Sequence, residues 1–166
     1  YNNTTTWGIA GYGQVAIRDI WPGMTFTAGL RYDYEKTELD YRDSLLFSGS
    51  EQYSSYHQSN KKRDFDAWLP KFSLLQQWNS QLSLYLSISK GYKAGGYNII
   101  SNDMSSQLVQ LQYNAEKLWN YEIGMKYFSQ NHKFNLNAAV FFIDWKDQQI
   151  FTMGMMGPAL KNAGDA

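Results

Sequence analysis

Apolar and polar residues alternate with a period of two along most of this chain, and turn-forming stretches interrupt the alternation. From Thr25 to Glu35, Phe26, Ala28, Leu30, Tyr32 and Tyr34 take one side, and Thr25, Thr27, Gly29, Arg31, Asp33 and Glu35 the other. Leu82, Leu84, Leu86 and Ile88 oppose Ser83, Tyr85, Ser87 and Ser89. Trp119, Tyr121, Ile123, Met125 and Tyr127 oppose Asn120, Glu122, Gly124 and Lys126. Phe134, Leu136, Ala138, Val140 and Phe142 oppose a less polar set, Asn135, Asn137, Ala139, Phe141 and Ile143. A helix repeats every 3.6 residues or so and cannot draw such stripes; these are strands.

Two further stretches alternate less cleanly. Near the start, Trp7, Ile9, Val15 and Ile17 share a side that Gly11 and Gly13 interrupt, with Tyr12 and Gln14 on the other. Over 65–78 the apolar side reads Trp68, Pro70, Phe72 and Leu74, and proline inside a central strand is disfavoured. Both are read as strands. The pattern predicts an all-β antiparallel meander of about six strands beginning near Trp7, Thr25, Phe65, Leu82, Glu116 and Lys133, with a seventh opening at Asn162.

The connections sort by parity. Tight turns are predicted at 19–23, 79–81 and 129–132, and long polar loops at 43–62, 94–114 and 151–161. Outer-membrane barrels alternate in this way, with short periplasmic turns and longer extracellular loops. Aromatics gather at the turns, Trp21 by the first, Trp78 by the second and Phe128 by the third, as interfacial girdles require. The rival reading is a soluble aromatic-rich carbohydrate-binding β-domain whose Trp and Tyr cover a core edge. Partition into detergent or water separates the two.

Composition sharpens the choice. Aromatics reach 17%, with 13 Tyr and 6 Trp, yet the mean hydropathy is a hydrophilic −0.52. A spanning helix needs about 20 consecutive apolar residues, and no such run occurs. A barrel strand is exempt, because only alternate residues meet lipid. Six or so strands are too few to close a barrel, which starts at about eight, and an open edge in lipid leaves backbone groups unpaired. The chain is therefore expected to be a segment of a large transmembrane β-barrel. Its opening, Tyr1-Asn2-Asn3-Thr4, has no methionine, basic segment or apolar segment, as expected of a processed chain or an internal piece.

Candidate chemistry is sparse. Basic and acidic residues balance at 15 each, so there is no basic footprint for nucleic acid. The absence of cysteine removes disulfides and thiolate ligation. The 2 histidines, His57 and His132, are expected in a loop and a turn, without the convergent partners a metal site needs. The stretch 91–96 lacks the GK[ST] ending of a phosphate loop, and no G-x-S-x-G elbow occurs. No enzyme and no metal site is expected. The polar stripes offer a mixed-charge inner wall: Arg31, Asp33, Glu35, Asn120, Glu122 and Lys126, with Glu116 and Lys90 or Lys93 beside them.

Several phrases together carry a resemblance. Ser87-Ile88-Ser89-Lys90-Gly91-Tyr92-Lys93-Ala94-Gly95-Gly96-Tyr97-Asn98 resembles the S-x-S-x-G-[YF]-[KR]-x-G-G-[YF]-N stretch of TonB-dependent outer-membrane receptors. Ala115 to Lys126 is similar to their following A-E-x-x-x-N-Y-E-x-G-x-K strand, Phe141 to Ile150 to the next, and Asn162-Ala163-Gly164 to the opening of the one after. Gly29-Leu30-Arg31-Tyr32-Asp33 is similar to an upstream strand. Within the family, 91–99 and the glycine-to-NAG ending most resemble the yersiniabactin/pesticin receptor branch of ferric-siderophore transporters. The resemblance implies a barrel of about 22 strands, of which residues 1–166 would be a middle piece without plug domain, TonB box or C-terminal strands. It implies a Gram-negative outer membrane, outer-membrane lipid and TonB as partners, and a ferric siderophore as transported ligand rather than a resident cofactor. Cobalamin or an oligosaccharide is the alternative solute. Tyr53, Tyr56, Lys93, Tyr97 and Asn98, in the loops and upper lumen, are the expected solute contacts.

Overall fold

The computed structural model describes residues 2–46, 53–98, 112–131, 133–154 and 157–164. The chain runs β1 (Asn2–Arg18), β2 (Met24–Leu46), β3 (Tyr53–Gln77), β4 (Leu82–Lys93), β5 (Gly96–Tyr97), β6 (Gln112–Tyr113), β7 (Glu116–Phe128), β8 (Asn135–Lys146), β9 (Gln149–Gly154) and β10 (Gly157–Asn162). Six of these form one sheet in the order β1-β2-β3-β4-β7-β8, every neighbour antiparallel. This is the predicted meander. Two small hairpins, β5–β6 and β9–β10, are sheets of their own. Among the described residues no helix is long and apolar enough to cross a membrane, a test that strands do not enter.

Register sorts the side chains across the whole sheet. One row runs Ile17, Phe26, Leu74, Leu86, Ile123 and Val140; the next runs Val15, Ala28, Phe72, Ile88, Tyr121 and Phe142. Residues directly opposite on neighbouring strands share a face. The face so assembled is apolar over all six strands. It is also uncovered, with Ile123 56% and Val140 72% exposed. A water-soluble sheet of this size would hide such a face, since large contiguous apolar patches mark surfaces that meet a partner or a membrane.

The opposite face carries Thr25, Thr27, Arg31, Asp33 and Glu35 on β2, Ser73 and Lys71 on β3, Ser87 and Ser89 on β4, and Asn120, Glu122 and Lys126 on β7. What core exists lies on this side. Leu39, Thr37, Phe65 and Ala67 are buried there.

Four expectations need correction. The stretch 43–62 is not mainly loop: β2 continues to Leu46 and β3 begins at Tyr53, paired from Leu46↔Tyr53 onward with a register shift between Leu39 and Tyr41. His57 is accordingly a strand residue, and His132 lies outside the described residues. The sequence of the extension keeps no sustained apolar alternation, so no stripe betrays it. Just before it, Glu38 reaches Lys36 on its own strand at 3.3 Å and Lys62 on β3 at 3.2 Å, and the Thr6 and Thr37 hydroxyls meet between β1 and β2 at 3.1 Å. The stretch 151–161 is likewise mostly the β9–β10 hairpin, and Asn162 closes β10 instead of opening a further strand. β1 begins at Asn2 and β8 at Asn135, earlier and later than the stripes suggested. Lastly, Lys90 lies on the apolar face by register, its ammonium 6.0 Å from the Trp119 ring centroid. A long cationic stem there can cover apolar surface while its head seeks the interface.

Pro70 explains itself. The ladder between β3 and β4 spans Lys71↔Ser89 to Gln77↔Ser83, and proline stands immediately beyond its end. Past that point β4 stays with β7 up to Lys93↔Glu116 and leaves β3. The divergence makes room for the hairpins over the polar face.

Candidate functional site

The polar face holds two groups of functional side chains. The first surrounds a cavity of about 570 Å³ lined by Arg31, Asp33, Glu35, Tyr92, Lys93 and Tyr113, with Thr6 and Gly8 on its β1 side. Arg31 and Asp33 stand two residues apart on β2, so they project from the same face. The Arg31 Nε donates to both carboxylate oxygens of Asp33, at 2.8 and 3.0 Å. Glu35 and Lys93 line the same space with their charges on different strands. The Tyr92 hydroxyl is buried and has no hydrogen-bond partner among the described residues. Burial, together with the Glu35 carboxylate, pushes the Tyr113 phenol up from its ordinary range, so it remains a neutral donor.

The second group spans β4 and β7. The Tyr85 hydroxyl donates to Glu122 Oε1 at 2.6 Å, and the Lys126 ammonium stands 5.9 Å from the Tyr85 ring. Gly124 makes this possible, because Tyr85 is its register partner and the ring lies where a Cβ would be. Aromatic cover of a strand glycine is a known stabilising device in sheets. Gly124→Leu should displace the ring, break the bond to Glu122 and cost on the order of 1–3 kcal/mol. A thermal melt of the full-length barrel checks this. The double variant with Tyr85→Ala should cost less than the two single changes added, because the ring that clashes is gone.

A polar knot ties the two hairpins to the end of the sheet. The backbone N–H of Gln149 donates to Glu116 Oε2 at 2.6 Å, and Gln149 Nε2 donates to the carbonyls of Ala94 and Asn114 at 2.9 and 3.0 Å. Asn162 Nδ2 donates to the carbonyls of Asp147 and Asn114, at 2.8 and 3.1 Å, while its Oδ1 accepts from the Asn114 N–H at 2.7 Å. Arg63 donates to the Tyr113 carbonyl at 3.1 Å and to Asn114 Oδ1 at 3.0 Å. Such side chains supply partners to backbone groups that no regular ladder satisfies. Arg63, Gln149, Asn114 and Asn162 were not singled out as site residues. The Asp147-Gln148-Gln149 run and the Asn162-Ala163-Gly164 ending were the signals available.

The expected solute contacts therefore separate. Lys93 is exposed at the cavity, and Tyr97 is half-buried, its phenol pushed up by burial against the opposing pull of Arg63. Asn98 is only 6% exposed, and its amide bonds Leu160 in both directions, donating to the carbonyl at 2.7 Å and accepting from the N–H at 2.8 Å. Its amide pins β10 to the hairpin before it. Tyr53 and Tyr56 sit at the start of β3, opposite Leu46 and Asp43, and are strand residues where loop residues were expected. The inner-wall set divides between the two groups, Arg31, Asp33 and Glu35 at the cavity and Glu122 and Lys126 around Tyr85, while Asn120 shares their face opposite Ser89.

Comparison with known proteins fits this geometry. The family model described as TonB dependent receptor-like, beta-barrel, matches residues 1–166. The pesticin receptor of Yersinia pestis is 28% identical over 138 residues, which is 83% of this chain and 19% of that protein. The crystal structure of the ferric yersiniabactin uptake receptor of Yersinia pestis aligns with a TM-score of 0.74 at 25% identity, covering 99% of this chain and 23% of that one. The ferric-catecholate import receptor of E. coli K12 aligns at 0.70 with 17% identity over 99% of this chain and 24% of that one, a likeness of fold. The chain thus spans about a fifth of the length of the curated relatives it matches.

Proposed function

Because this chain belongs to the TonB-dependent receptor β-barrel family over residues 1–166, we propose that its parent protein imports a ferric siderophore across the outer membrane of a Gram-negative bacterium. In this reading the apolar face meets outer-membrane lipid and the polar face lines the lumen. Arg31, Asp33, Glu35, Asn120, Glu122 and Lys126 are then lumen residues. TonB engages a part of the parent outside this chain, and no chemical step falls to the segment itself.

The observation that carries the ligand class is the likeness to the ferric yersiniabactin uptake receptor over 99% of the chain. The cavity supports it. Lys93 and Tyr113 line the cavity and offer a cation and a neutral phenol, and Tyr97 on β5 adds a second phenol; such groups stack on or hydrogen-bond a planar chelate. Tyr53 and Tyr56, near the start of the long β3, and Asn98 complete the proposed contact set.

The test uses the full-length receptor. Cells that depend on it for iron should grow on a ferric siderophore from a panel that also includes ferric catecholates, cobalamin and oligosaccharides. Rescue by cobalamin or a sugar alone would replace the siderophore with that solute. Shortening 99–111, which spares every residue of the knot, should weaken solute binding at least tenfold and leave the barrel inserted. The sequence predicts a long polar loop over 94–114, and loops beyond about 12–15 residues are usually functional or disordered. Undiminished affinity would remove this loop from the recognition surface.

A further inference from the structure

The apolar face is not evenly filled. At its short-turn end a hollow of about 450 Å³ opens between Trp21, Met24, Leu74, Trp78, Leu84 and Leu86. Its cause is one residue. Gln76 occupies the position between Met24 and Leu84 in the register, where a large apolar side chain would continue the surface. Its amide turns back to the neighbouring turn, donating to the Pro22 carbonyl at 3.0 Å and approaching the Gln77 carbonyl at 3.4 Å. The polar group is thereby satisfied by protein, and the space it vacates is lined by hydrocarbon. Trp21 and Trp78, from two successive tight turns, line the same hollow.

We propose that this hollow seats one acyl chain of a phospholipid from the leaflet at the short-turn end, held longer than the lipid around it. The inference rests on the barrel reading, since it takes the apolar face as the lipid boundary with which the hollow is continuous. Three features select a phospholipid. No charged residue lines the hollow, so a polar or ionic ligand would lose its hydration without a partner. The indole pair lies at the turn end, where headgroups and ester groups lie, and an indole pairs an apolar body with an N–H donor suited to that boundary. A second barrel would need a broad complementary surface, whereas a concave slot between side chains fits a single chain.

The full-length receptor, reconstituted in phosphatidylethanolamine vesicles and extracted into mild detergent, is weighed by native mass spectrometry. Wild type should retain one phospholipid more than Leu84→Trp, which fills the hollow, and more than Gln76→Leu, which rebuilds the missing surface. Val140→Trp, on the same face but outside the hollow, should retain the wild-type number. If Leu84→Trp does not insert, Gln76→Leu decides alone. Equal retention in wild type and Gln76→Leu, or no retained lipid on an inserted, heat-modifiable barrel, overturns the inference and leaves the barrel reading standing. A wild-type chain that never inserts overturns both.

Discussion

Arginine at Ile123 should destabilise the full-length barrel by about 2–4 kcal/mol, the cost of a cation on a lipid face near the midplane. Ile123 sits near the midpoint of β7, between Leu86 on β4 and Val140 on β8. No described acidic residue shares its row, so the guanidinium would find neither partner nor water. Arginine at Ser87 should cost far less. Ser87 pairs with Glu122 and Ser73 on the polar face, where water or the carboxylate can receive it. Reversible unfolding in lipid vesicles measures both. Equal costs would mean that the two faces are not the lipid and lumen sides.

Gly95→Ala should disable the loop cluster while sparing the sheet. A Cβ at Gly95 would stand 2.8 Å from Phe65 Cε1 and 2.9 Å from the Ala115 nitrogen, and would collide with the Tyr113 carbonyl. Two of those three are backbone atoms, which cannot rotate aside. The β5–β6 hairpin would have to lift, and the Arg63 bond to the Tyr113 carbonyl and the Gln149 bond to the Ala94 carbonyl would go with it. The expected result is a loss of solute affinity of tenfold or more, with on the order of 1–3 kcal/mol of stability lost to overpacking. Gly11→Ala is the control, because nothing lies within 4 Å of its Cβ position. Isothermal titration and a thermal melt read the two effects. Unchanged affinity in Gly95→Ala would separate the loop cluster from solute recognition.

The sheet was legible in the sequence because one face had to be apolar at every second position. That constraint wrote Leu82, Leu84, Leu86 and Ile88 and their partners Tyr121, Ile123 and Met125 plainly, and the register pairs them as the stripes suggested. Where a strand keeps no apolar alternation, as in the outer part of β2 and β3, the same physics leaves no stripe, and strand reads as loop. The β9–β10 hairpin was hidden for another reason. It is held by side chains from distant parts of the chain, Asn98 on Leu160 and Glu116 on Gln149, which no local pattern announces. The polar-face residues follow from parity alone. Their division into a cavity and a Tyr85-centred group depends on the glycine at 124 and the departure of β4 from β3, both of which are tertiary. Asn98 illustrates the limit: its place in the loop phrase gives no sign that its amide bonds the Leu160 backbone, 62 residues on.

The central claim is that alternate residues of this sheet face lipid and lumen. The segment has no cysteine, so single cysteines introduced at each position from Trp119 to Tyr127 of the full-length receptor can carry a nitroxide label. In vesicles, collision with dissolved oxygen should peak at positions 119, 121, 123, 125 and 127, and collision with a water-soluble nickel chelate at 120, 122, 124 and 126. Oxygen access that varies without a period of two, or that peaks at Glu122 and Lys126, would contradict it.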